Sequence, residues 1–130
     1  MKKFPDNEGI QQFGISVMYF CFNSMKVDNP KRVDAVRSYV QDIDGIPIAV
    51  KGMKRWPDNM SVQEFGCKLF SGIIYDEDKY DHAMVEKSAV AAVSTTMQRH
   101  WNNHSNKSVK IAACRFMNEM FRNYGENWSP

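Results

Sequence analysis

The chain has 130 residues, of which 43% are apolar and 25% are charged, and its formal net charge is +2. This length suits one domain, and this balance is typical of a folded globular protein and excludes a disordered one. The longest apolar run, residues 15–22, falls short of the roughly 20 residues that span a bilayer. We therefore expect no membrane partner.

The start of the chain and its cysteines indicate a reducing compartment. Pro5 and Asp6 stand where a signal peptide would have its apolar core. Cys21, Cys67 and Cys114 are far apart in apolar stretches, a pattern typical of buried free thiols and not of disulfides or zinc ligands. The expected location is the cytoplasm.

Residues 1–5 are predicted to form a loose tail, followed by a first helix with Asp6 as a candidate cap. Apolar residues at helical spacing would form its buried face: Ile10, Phe13, Val17, Phe20 or Cys21, and Met25. The segment 13–22 is also rich in aromatic and β-branched residues, so a buried strand is the alternative. A segment that is apolar on all sides is expected to be central in either case.

A second helix is predicted from Asn29 and Pro30, an N-cap followed by a first helical residue, to Asp44 and Gly45. The segment 46–57 is predicted to be irregular. A strand at 46–50 and a brief helix begun by Pro47 are the alternatives.

The stretch from Ser61 to Trp101 is predicted to be the folding core, as two consecutive helices. Ser61 and Glu64 have the spacing of a capping box. The first apolar stripe consists of Val62, Phe65, Leu69 and Ile73. The second helix would start near residues 76–78, and its seam would consist of Val90, Val93, Met97 and Trp101.

A last helix is predicted from residues 105–108 to Gly125, followed by a tail at 126–130. Its apolar face would consist of Val109, Ala112 or Ala113, Phe116, Met120 and Tyr124. The fold class is therefore mainly α: a single domain over residues 1–130, with about five helices. An α+β domain with short strands at 13–22 and 46–50 is the alternative.

No catalytic motif is evident. His100 and His104 are four residues apart, as are His82 and Glu86, but neither pair has the further residues of a known metal or protease motif. We expect no metal, no cofactor and no enzymatic activity, and an enzyme without a recognisable motif is the second alternative.

Large aromatic residues outside the apolar stripes are candidates for contacting a partner protein. Trp56 precedes a turn, Trp128 lies in a tail, and two tyrosines flank an acidic cluster. The predicted protein-binding residues are Trp56, Trp128, Tyr75, Tyr80, Asp76 and Asp78. The sequence favours a small adaptor, regulator or inhibitor, the plain kind of protein that phages and other mobile elements often carry.

A nucleic-acid-binding regulator is the first alternative. Lys51, Lys54 and Arg55 adjoin Trp56, and a basic patch beside an aromatic ring suits a single strand. Residues 97–130 are also basic on balance. The predicted nucleic-acid contacts are Lys51, Lys54, Arg55, Lys107, Lys110 and Arg115.

Overall fold

The computed structural model describes residues 4, 6–25, 45–74, 82–102 and 106–124, and these form five helices. The helices are α1 (Glu8–Met25), α2 (Gly45–Arg55), α3 (Met60–Ile74), α4 (His82–His100) and α5 (Lys107–Tyr124). The described ranges contain no strand, so the mainly-α class is confirmed and the strands at 13–22 and 46–50 are wrong. The helix predicted over 29–44 and the start predicted at 76–78 lie outside these ranges.

Helix α3 is the centre of the fold. It packs on each of the other four described helices and most extensively on α1 and α5, which touch each other little. Its Val62, Leu69 and Phe70 are fully buried. The Phe70 ring meets the Phe116 ring of α5 edge-on, with the centroids 6.1 Å apart.

Helix α4 is a smaller part of the core than the sequence predicted. Val90 and Val93 are buried as expected, but α4 packs more on α2 and α5 than on α3. Trp101 does not continue the seam, because α4 ends at His100 and the Trp101 side chain is 54% exposed. The central pairing in the structure is therefore α3 with α1 and α5.

Helix α2 replaces the irregular segment predicted at 46–57. Ile46, Ala49, Val50 and Met53 are all buried, and their spacing of i, i+3, i+4 and i+7 is that of an amphipathic helix. Pro47 is tolerated because it lies in the first turn, where its missing N–H would have no helical partner.

Two glycines let α2 come close to its neighbours. A Cβ at Gly66 of α3 would lie 2.5 Å from the Met53 sulfur, and one at Gly52 would lie 3.2 Å from Cδ1 of Ile15 in α1. Helices α1, α2 and α3 therefore meet with little space between their backbones.

A buried amide connects α2, α3 and α4. The Gln63 side chain is 1% exposed, and its Nε2 donates to the carbonyl oxygens of Met53 at 2.9 Å and Trp56 at 3.1 Å. Its Oε1 accepts from the hydroxyl of Thr96 on α4, which is also buried. Gln63 thus satisfies carbonyl groups at the end of α2 that helical bonds leave open.

The last turn of α4 holds the loop between α2 and α3. His100 Nε2 donates to the Pro57 carbonyl at 2.6 Å, since a carbonyl can only accept. Arg99 donates to both carboxylate oxygens of Asp58 at 2.8 Å. This bidentate bond lowers the pKa of Asp58 from its ordinary value.

The N-caps of α1 and α3 are Asn7 and Asn59, and not Asp6 and Ser61 as the sequence predicted. Asn59 Oδ1 accepts from the Val62 N–H at 3.1 Å, so Asn59 caps α3 and Ser61 lies inside the first turn. Asn7 caps α1 in the same way, through Ile10, while Asp6 pairs with Arg55 at 2.9 Å. The predicted capping box is therefore wrong, because an Asn two residues earlier already fills that role.

We expect Gln63→Met to lower the free energy of unfolding by about 2 kcal/mol, because the buried Met53 carbonyl would lose its side-chain donor. The Trp56 carbonyl and the Thr96 hydroxyl would each lose one of two partners, since they also bond to the Asn59 N–H and the Ala92 carbonyl. Gln98→Met is the matched control, since Gln98 is exposed on α4. Urea melts of both variants measure the difference. A loss below about 0.5 kcal/mol for Gln63→Met would contradict a satisfied buried amide.

The capping assignment is tested by Asn59→Ala, which we expect to cost about 1 kcal/mol of stability, whereas Ser61→Ala should be nearly neutral.

Asn59→Asp separates two roles of this side chain. It keeps the capping oxygen but removes the Nδ2 donor that reaches Glu8 at 2.9 Å and Gln12 at 3.0 Å on α1. An Asn59→Asp protein as stable as the wild type would show that these bonds to α1 contribute nothing.

Candidate binding surfaces

The outer face of α1 carries three exposed apolar side chains one turn apart. Phe13 is 72% exposed, Val17 41% and Phe20 53%. The sequence placed these residues on the buried face, and that prediction is wrong. The side that packs on the fold instead carries Ile15 and Met18.

The error has a physical cause. From Gly9 to Met25 the helix contains no charged residue, so its hydrophobic pattern does not distinguish one side from the other. A helix that is apolar all round is normally buried on every side. Here one side is covered by α2 and α3, and the side with Phe13, Val17 and Phe20 faces water.

An aromatic cluster adjoins this face. The Phe20 ring lies 5.3 Å from that of Phe65 and 5.4 Å from that of Tyr19, measured between centroids. The Lys68 ammonium lies 5.4 Å from the ring centroid of Tyr19 and 5.3 Å from that of Phe65. The Glu64 carboxylate forms an ion pair with this ammonium at 3.2 Å. The cluster holds Phe20 in place from the α3 side, so this end of the apolar face is preorganised.

The structure places the three basic residues predicted near Trp56 on the exposed side of α2. Lys51 and Lys54 are exposed on α2, but Arg55 is paired with Asp6 and lies 5.9 Å from the Trp56 ring centroid. The Trp56 side chain is half-buried, and its carbonyl accepts from Gln63. Trp56 is therefore partly packed on the fold, and the part of its ring that stays exposed lies beside Arg55.

The other predicted cations lie on a different helix. Lys107 and Arg115 are exposed on α5 and Lys110 is half-buried there, and α5 makes at most marginal contact with α2. Lys110 and Arg115 line an open groove of about 430 Å³ together with Trp101, Ile111, Cys114 and Asn118. The six predicted cations thus form two separate groups, one on α2 and one on α5, and Trp101 lies beside the α5 group.

The remaining residues predicted to bind a protein partner lie outside the described residues: Trp128, Tyr75, Tyr80, Asp76 and Asp78. The surface residues that sequence reasoning missed are Phe13, Val17, Phe20 and Trp101. Two features of the sequence could have indicated them. The absence of charges from Gly9 to Met25 concerns the α1 residues, and the two asparagines after Trp101 indicate that a helix ends beside this ring.

One group of polar side chains has the composition of a catalytic site. Asp58, Arg99, His100 and Asn106 line a shared depression with Met60. However, Asp58 and Arg99 bind each other, and His100 is 5% exposed with its Nε2 on the Pro57 carbonyl. The contacts of this group hold the loop between α2 and α3 in place. Within the described ranges, no three His, Cys, Asp or Glu side chains are close enough to share a metal ion.

Comparison of the chain with protein-family models, with curated proteins and with solved structures finds no match. Among the helices that the structure describes, none is sufficiently long and apolar to cross a membrane. The geometry of the surfaces is therefore the basis for proposing a function.

The two described cysteine side chains should differ sharply in reactivity. Cys67 is fully buried, and desolvation raises the pKa of its thiol to about 12, whereas Cys114 is exposed in the groove. The expectation that all three thiols are buried is thus wrong for Cys114, and the Cys21 side chain lies outside the described residues. Because only the thiolate reacts, we expect iodoacetamide to label Cys114 readily at pH 8 and Cys67 only after unfolding.

Peptide mapping by mass spectrometry follows each cysteine separately. Raising the pH to 10 should leave native Cys67 unlabelled, since that pH is still well below the pKa of its thiol. Labelling of Cys67 at the rate of Cys114 in the folded protein would show that α3 is not packed as described.

Proposed function

We propose that this protein acts by binding another protein, as an adaptor, regulator or inhibitor, and that the outer face of α1 is its docking surface. The observation that carries the proposal is the row of Phe13, Val17 and Phe20 on the water-facing side of α1, which has no charged residue from Gly9 to Met25. Exposed apolar side chains scattered singly are ordinary, but three in one row leave an apolar face that water solvates poorly.

The spacing of this row suits a helix or a groove on the partner. Residues at i, i+4 and i+7 lie on one stripe of α1 and can interdigitate with the side chains of a second helix. Aromatic anchors contribute a large share of the binding energy at such interfaces. Phe20 is the best placed anchor, because Tyr19 and Phe65 support its ring.

The chemistry of the face also limits the partner. A charged group buried against Phe13 and Val17 would lose its hydration and find no opposite charge between Gly9 and Met25. The partner surface is therefore apolar and largely uncharged. The exposed free thiol of Cys114 supports activity in a reducing compartment such as the cytoplasm.

The experiment compares wild type with Phe13→Gln/Phe20→Gln, in which both rings are replaced by a good helix former. We expect the variant to lose a specific partner that wild type captures from the native host, and to bind it at least about tenfold more weakly once that partner is purified. Its melting temperature should stay within about 3 °C of wild type, because both rings are largely exposed.

Ile111→Gln is the matched control, since Ile111 is 58% exposed on α5, away from this face. It should capture the same partner as wild type. Two results would overturn the proposal. Destabilisation of the Phe13→Gln/Phe20→Gln protein by more than about 2 kcal/mol would make this face part of the core. A wild-type dimer in light scattering that the variant abolishes would make it a self-association surface.

A further inference from the structure

The groove on α5 has a composition that the α1 face lacks. Its lining combines the exposed aromatic ring of Trp101 with the cations Lys110 and Arg115, and none of the described residues that line it is acidic. Ile111 and Asn118 complete its floor. We propose that this groove binds single-stranded nucleic acid, as a second site that is separate from the protein-docking face on α1.

The charge of the groove is not neutralised within the described part of the chain. Arg115 and Lys107 make no ion pair there, and the acid on the same helix, Glu119, is engaged by Arg122 at 2.8 Å. Lys110 places its ammonium 6.0 Å from the centroid of the Trp101 ring, a contact that a phosphate can replace. The groove therefore complements a chain of phosphates.

The ring of Trp101 favours an unpaired strand over a duplex. It is 54% exposed after the end of α4, so one face is open for a base to stack on, and a base within a duplex does not offer its face. From Lys107 to Asn118, the helix rise of about 1.5 Å per residue gives a length of about 16 Å. A single strand lying along this length would bring its phosphates within reach of Lys107, Lys110 and Arg115.

The experiment uses the full chain and a fluorescein-labelled twelve-nucleotide oligothymidylate, with binding followed by anisotropy. With Lys107, Lys110 and Arg115 on phosphates, we expect affinity to fall about eighteenfold between 50 and 200 mM salt, because a single strand gives a slope near −0.7 per contact. The variant Lys110→Gln/Arg115→Gln should bind at least about tenfold more weakly and lose only about threefold over the same salt range.

Trp101→Ala tests the stacking contact and should weaken binding about tenfold without shifting the melting temperature by more than about 2 °C. Lys51→Gln/Lys54→Gln is the matched charge control, since it removes two exposed cations from α2 and should bind like wild type. Phe13→Gln/Phe20→Gln should also bind like wild type, so that failure of this site and failure of the α1 face are distinguishable.

Three results would overturn the proposal. The first is no binding to the oligonucleotide at 50 mM salt. The second is a duplex of the same length that binds more tightly than the single strand. The third is a competition result: polyglutamate, at the same concentration of charges as the oligonucleotide, displaces it equally well from the wild type and from Trp101→Ala. That result would identify a site that binds any acidic chain.

Discussion

The buried amide of Gln63 is the constraint on which the arrangement of the helices depends. An amide in an apolar core is costly unless all its groups are bonded. The Gln63 amide is bonded only when the end of α2 and the C-terminal part of α4 both lie against α3. The apolar contacts of Val62 and Leu69 would tolerate other helix rotations. Gln63 selects one of them, and α2, α3 and α4 are thereby fixed relative to one another.

The loop after α2 transmits this constraint to the first helix. Pro57 and Asp58 are held by the last turn of α4, and Asn59 holds both the start of α3 and the polar groups of α1. With its polar edge fixed at Asn59, α1 turns Ile15 towards Gly52. The opposite side of α1 is then left to solvent, so the exposed row of apolar residues is a consequence of polar bonds made elsewhere.

The elements with one clear amphipathic stripe were predictable from the sequence, and α1 and the caps were not. Val109, Phe116 and Met120 are buried on α5 as their spacing predicted, and Val62 and Leu69 are buried on α3. The same reasoning failed for α1, because its residues from Gly9 to Met25 are uncharged and no charged side marks the solvent. It failed at Ser61 because a sequence contains several residues capable of capping, and tertiary contacts to Glu8 and Gln12 favour Asn59.

The candidate sites were less accessible to sequence reasoning than the helices, for a related reason. Lys110 and Arg115 were recognisable as cations, but their grouping with Trp101 depends on where α4 ends and on how the chain returns into α5. Trp56 was recognisable as a large aromatic before a turn, yet the Gln63 bond and the Arg55 contact draw it onto the fold. Whether a single ring is exposed depends on tertiary contacts, and these contacts leave no periodic pattern in the sequence.

Helix α3 also determines how the two proposed surfaces relate to each other. The α1 face and the α5 groove each belong to a helix that packs on α3, and those two helices touch each other little. Coupling between the surfaces would have to pass through α3, or through α2 and α4, which also connect α1 to α5. The close contacts of Gly66 with Met53 and of Phe70 with Phe116 leave little room for an alternative packing of α3. Without a second packing arrangement, a ligand at one site has no alternative state to select at the other. The two surfaces are therefore expected to act independently, so that a protein partner on α1 and a nucleic-acid strand on α5 are brought together by the scaffold without changing each other's affinity.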